Sequence, residues 1–173
     1  MSHAHVTDLT PDTAATPAAG NGGGIGFTLI AAAVASVAVF LVALAGLPPW
    51  AMFVGWVTWF TRPASVRQGA YSVVCLWCGL ALAVAAQLSI ASLAPVVGQA
   101  ALPITVFAVA TLVVGLRSAP VLDNPVAWFL GLIGSFALHA SDRLEGTIVL
   151  VEATGIGAAA ALLCGQLQRR LTG

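Results

Sequence analysis

One carboxylate in this chain stands where a carboxylate is expensive. Glu152 lies inside an otherwise apolar run between Thr147 and Gln168, and an ionisable group in such a run defaults to a functional reading. It is six residues past Gly146, about 9 Å of helix rise, so a place near an interface with water fits it as well. His139 precedes Asp142 and Glu145. A histidine beside a carboxylate is the pairing that proton-coupled transport needs, while a histidine at a helix end near water is the plainer reading. Asp142, Arg143 and Glu145 fit a solvated turn with acids at a helix start. Cys75-Leu-Trp-Cys78 has the spacing of half a redox or zinc motif, but there is no second pair and no nearby histidine, so packing is the expected role. His3 and His5 share a tail that offers no preorganised metal site. Gln87 and Gln99 suit an uncharged polar solute or helix-to-helix hydrogen bonds equally. There is no glycine-rich phosphate loop, nucleophile elbow or His/Asp metal cluster. Neither an enzyme nor a bound cofactor or metal is expected.

The elements that must carry these residues follow from composition. Of 173 residues, 60% are hydrophobic and 7% charged, with a mean hydropathy of +1.01. Soluble domains are roughly 25% charged. A water-soluble fold of this length has no way to bury so much apolar surface and still present a polar exterior. Six arginines, no lysine and six acids give zero net charge, which excludes a nucleic-acid surface. The hydrophobicity is not confined to one face, which excludes a peripheral polybasic helix. The chain reads as an integral membrane protein whose first partner is the lipid bilayer.

Gaps between charges measure the segments. Forty-nine uncharged residues separate Asp12 from Arg62, and 49 more separate Arg67 from Arg117; Asp123 to Asp142 leaves 18 and Glu152 to Arg169 leaves 16. A bilayer core takes roughly 20 helical residues, so each long gap holds two passes, and about six segments result. The apolar runs are continuous, unlike the alternating strands of a barrel. The expected architecture is all-α: a tail over 1–24, a transmembrane domain over 25–168 and a short basic end over 169–173. The tail, rich in Ala, Thr, Pro and Gly, begins with no basic residue and is not a secretory signal; it reads as disordered.

Segment one runs from Ile25 to Leu47, stopped by Pro48-Pro49. Segment two, Trp50 to Thr61, spans only about 18 Å. Segment three is Ala70 to Leu93, ended by Ala94-Pro95. Segment four is Gly98 to Leu116, with Pro103 expected to kink it. Segment five, Pro125 to Ala140, is short again, and segment six covers Thr147 to Gln168. Six crossings put Arg62, Arg67, Arg117, Arg169 and Arg170 on one side and only Arg143 on the other. Basic residues stay cytoplasmic, so both termini are expected inside.

The two short segments repeat each other. Pro49, Ala51, Phe53, Gly55 and Phe60 recur as Pro125, Ala127, Phe129, Gly131 and Phe136 at one offset of 76, and Gly69 corresponds to Gly146 at 77. At offset 77 Glu152 faces Cys75. With the arginine assignment, the halves have opposite topology. Inverted halves carrying short, Gly/Pro-interrupted segments point to a transport site near the midplane, because helix ends inside a membrane are tolerated only within protein or along a wet cavity. The pathway residues expected on this reading are Phe53, Gly55, Trp56, Phe129 and Gly131, with Glu152 and His139 if protons are coupled. The other reading makes the glycines close-packing positions. Either leaves the same two functions open: a channel or carrier for a small, uncharged polar solute, or a non-transporting scaffold or subunit of a larger assembly. A pore at a homo-oligomer interface is as open to the first as one within a protomer.

The stretch Pro49-Trp-Ala-Met-Phe-Val-Gly55-Trp-Val-Thr-Trp-Phe60, its polar turn and Gly69 resemble the YcdZ-like small bacterial inner-membrane proteins, the domain-of-unknown-function family DUF1097. Phe129-Leu-Gly131 to Gly146 resembles that family's second half, and the likeness covers residues 25–168. It implies a multi-pass inner-membrane protein and brings no catalytic residues. Ala101-Leu-Pro103-Ile-Thr105-Val-Phe107 is similar to the Leu-Pro-x-x-Thr-x-Pro-Phe signature of urea transporters, with the Thr one residue early and the second Pro absent.

Overall fold

Gly46, rather than the proline pair after it, stops the first helix. The structure, a computed structural model, describes residues 21–138 and 142–172. Helix α1 (Asn21–Leu44) begins four residues before the expected Ile25. At its end Gly46 takes a φ of 69°. The Leu47 N–H then reaches back to the Val42 carbonyl at 3.0 Å and the Gly46 N–H to Ala43 at 3.1 Å. This pair of closing bonds needs a left-handed residue, which glycine supplies without strain. Pro49 opens α2 (Pro49–Trp59), in the first turn, where its missing N–H costs nothing.

The Ser65 hydroxyl caps α3 (Val66–Val97) by accepting from the Gln68 N–H at 3.1 Å. The helix passes the expected stop at Ala94, carries Pro95 inside and ends at Gly98 with φ 58°. A 3-10 turn, Gly98–Ala100, leads into α4 (Ala101–Gly115). Pro103 therefore sits in the first turn of α4, not mid-helix, and has no intrahelical bond to break. Pro103→Ala is expected to shift stability by less than about 0.5 kcal/mol, read as thermal unfolding in detergent; a large loss would show that the ring itself packs. After a second 3-10 turn come α5 (Pro125–Ala137) and α6 (Arg143–Thr172). The Asp142 carboxylate starts α6 by accepting from the Leu144 and Glu145 N–H groups at 2.7 and 3.2 Å.

No strand occurs among the described residues. Three helical runs are long and apolar enough to cross a membrane: Gly24–Leu44, Arg143–Arg170 and the 53-residue run Val66–Ser118, which contains α3, the turn and α4. The short helices are single uninterrupted helices of 11 and 13 residues. α2 packs chiefly on α6 and α5 chiefly on α3, while α1 flanks α6 and α4 flanks α3. One end of the bundle gathers Phe27 of α1, Trp59 of α2, Ala64 of the α2–α3 turn and Arg169 of α6 around a shared recess. Arg62 ties the 117–124 segment to that same end.

Candidate functional site

The middle of the protein is built on two glycine crossings. A Cβ on Gly55 would overlap the Thr154 carbonyl of α6, and one on Gly157 would overlap the Met52 carbonyl of α2. A Cβ on Gly131 would overlap the Leu76 carbonyl of α3, and one on Gly79 the Trp128 carbonyl of α5. Each short helix thus meets a long one backbone to backbone, the closest approach that two helices permit. The crossings match position for position. Met52 and Gly55 answer to Trp128 and Gly131 at offset 76; Leu76 and Gly79 answer to Thr154 and Gly157 at offset 78. The sequence offset of 77 for the last helices is one residue short, so Glu152 corresponds to Val74 rather than Cys75.

The expected pathway residues are not gathered around one space. Gly55 and Gly131 are buried in separate crossings. Trp56 packs into a core with Ala38, Val42 and Met52 of α1 and α2. Phe53 is exposed, and Phe129 lines an apolar groove of about 170 Å³ between α3, α4 and α5. That groove also contains Thr105, whose buried hydroxyl lacks a hydrogen-bond partner among the described residues. Glu152 is exposed on α6. His139 lies outside the described residues. Trp77 fills the space between α3 and α6: its indole N–H donates to Thr154 Oγ1 at 3.2 Å, and its ring lies over Gly155.

Polar chemistry concentrates instead at the Arg62 end. The Arg62 guanidinium, nearly buried, pairs with Asp123 and donates to the Val121 carbonyl at 3.0 Å and to Gln68 Oε1 at 3.1 Å. Beside it, the Asn124 amide donates to Thr61 Oγ1 at 2.7 Å and Ser72 Oγ at 3.0 Å. The Asn124 carbonyl oxygen accepts from the Ala127 N–H at 3.2 Å and so caps α5. Cys75 Sγ donates to the Val121 carbonyl and Trp128 Nε1 to that of Leu122. This lock joins α2, α3 and α5. In the sequence, 117–124 is only the stretch between segments four and five. Its available signal was Asn124 directly before Pro125, a cap residue followed by the favoured first helical residue.

Gln87 Nε2 donates to Ser135 Oγ at 3.1 Å, a bond between α3 and α5, whereas Gln99 is exposed in the 3-10 turn. Among the described residues no group of three His, Cys, Asp or Glu is placed to hold a metal.

Residues 28–169 match the family described as "Protein of unknown function (DUF1097)". No curated protein and no solved structure shows significant similarity to the chain.

Proposed function

The chain belongs to the DUF1097 family, and on that premise we propose that it is an inner-membrane carrier or channel for a small solute, built as an inverted 3+3 repeat. The observation that carries the reading is the residue-by-residue correspondence of the two glycine crossings. Each short helix docks on the long helix of the other half, so the halves interlock as two bodies able to rock about a shared axis, the arrangement used for alternating access.

The two ends of this axis are closed by different chemistry. At corresponding positions Arg62, Asp123, Ser72 and Cys75 give way to Leu138, Leu47, Leu150 and Ala153. The latter four pack with Ala51 and Leu80 in one apolar cluster. A charged, hydrogen-bonded seal at one mouth and a dry one at the other describe a closed form. The Arg62 end also carries Arg67, Arg117, Arg169 and Arg170, which supports reading it and both termini as cytoplasmic. A pathway would run along the axis after the seals part, not through the glycine crossings.

The second reading is a non-transporting subunit, and the dry, filled crossings favour it. Proteoliposome swelling with a panel of small neutral and charged solutes separates the two. The carrier reading expects flux of at least one solute above empty vesicles, increased when Arg62→Ala opens the polar seal. No flux for any solute in wild type and variant alike assigns the subunit role.

A further inference from the structure

Glu152 has no counter-charge among the described residues. Its carboxylate is exposed on α6 and makes no hydrogen bond or ion pair with any described residue. It lies nine residues, about 13 Å of rise, past Arg143, the nearest arginine on its helix. The other arginines sit in connecting segments or at helix ends, at 62, 67, 117, 169 and 170. Beside Glu152 the surface is apolar: Ile148 is exposed one turn before it, and Gly155 lies nearly one turn after it against the half-exposed Trp77 of neighbouring α3. The Trp77 ring covers Gly155, so an indole lies about one turn from the carboxylate. Towards the α6 start, a groove of about 590 Å³ between α3 and α6 is lined by Ala81, Leu88, Leu144 and Thr147, with Asp142 and Arg143 at its mouth.

On the membrane reading proposed above, a bare carboxylate on this exposed helix face is costly and calls for a cation supplied from outside. A second copy of this chain set twofold against the same face brings another Glu152 and no cation. Water-borne metal ions lack the further oxygen ligands that they require. We propose that the α3–α6 face binds an apolar organic monocation, its charge on Glu152, its aromatic or alkyl groups over Trp77 and Gly155. An indole beside a carboxylate suits such a cation, because both its quadrupole and the formal charge attract it away from water. The site does not depend on transport, since occupancy is read at equilibrium without flux.

The test is titration of the full-length protein in neutral detergent with tetraphenylphosphonium, followed by tryptophan fluorescence and equilibrium dialysis. Saturable binding is expected, weakened about tenfold or more by Glu152→Gln and unchanged by Glu145→Gln at the α6 start. Glu152→Asp, which restores the charge, is expected to recover part of the affinity, and thermal unfolding verifies that each variant is folded. Tetraphenylborate, an anion of the same shape, is expected not to saturate. Equal phosphonium binding by wild type and Glu152→Gln overturns the site, as does equal binding of the borate. Association of a leucine-rich membrane helix carrying one central lysine, dependent on Glu152 and without phosphonium binding, overturns it in favour of a basic protein partner.

Discussion

Gly55→Val is expected to destabilise the protein by roughly 3 kcal/mol or more, enough to leave little folded protein in detergent at ambient temperature. The added carbons would occupy the place of the Thr154 carbonyl. No side-chain rotation relieves a clash with backbone, so α2 must leave α6 and take Met52 and Trp56 out of their core with Ala38 and Val42. Gly131→Val is expected to cost a similar amount, because its Cβ meets the Leu76 carbonyl and the Leu80 nitrogen. Gly165→Ala is the control: nothing lies within 4 Å of its Cβ, and alanine is the better helix former by about 1 kcal/mol. It should unfold at the wild-type temperature or above it. Wild-type melting of Gly55→Val would mean that α2 and α6 do not meet at this distance.

The second large effect falls on the polar seal. Asn124→Ala removes the α5 cap and both amide bonds to Thr61 and Ser72. A lost cap costs about 1 kcal/mol, and a buried hydroxyl deprived of its partner about 1–3 kcal/mol. Thr61 keeps its bonds to the Thr58 carbonyl and to Ser72, which limits the total to roughly 2–3 kcal/mol. Asn124→Ser keeps a capping oxygen but is too short to span to Thr61 and Ser72, and is expected to recover the cap contribution alone. Thermal unfolding of the three proteins reads the difference. Equal stability of the alanine and serine variants would show that Asn124 does not cap α5.

Whether a residue's role was legible in the sequence depended on how local its cause is. The short second and fifth helices, their shared Pro-x-Ala-x-Phe-x-Gly pattern and the apolar runs were readable, because proline placement and hydropathy act within a few residues. Pro103 was misread as a kink because its effect depends on where the helix begins, and that start is set by Gly98 and the turn after it. Gly55 and Gly131 were marked correctly as places of close approach, yet their neighbours were unreadable. Nothing near residue 55 names Thr154 as the group that excludes a side chain. The correspondence of 77 was one residue short for the same reason: an extra residue between the short and long helices changes no hydropathy pattern. The polar seal was missed because Thr61, Ser72 and Asn124 are unremarkable singly and become a network only when three helices converge.

Composition alone pointed this chain to lipid: few charges are present to cover its apolar surface, whatever its fold. The order of long and short helices was likewise settled locally, by prolines, glycines and the distances between charges. Only the tertiary structure decided which helix each glycine meets and that Arg62 finds Asp123. It also decided that Glu152 is left exposed while Trp77 is drawn over its neighbour Gly155. Those outcomes depend on how rods separated by tens of residues are turned against one another, and that rotation is fixed by backbone contact at the two crossings, to which hydropathy is blind.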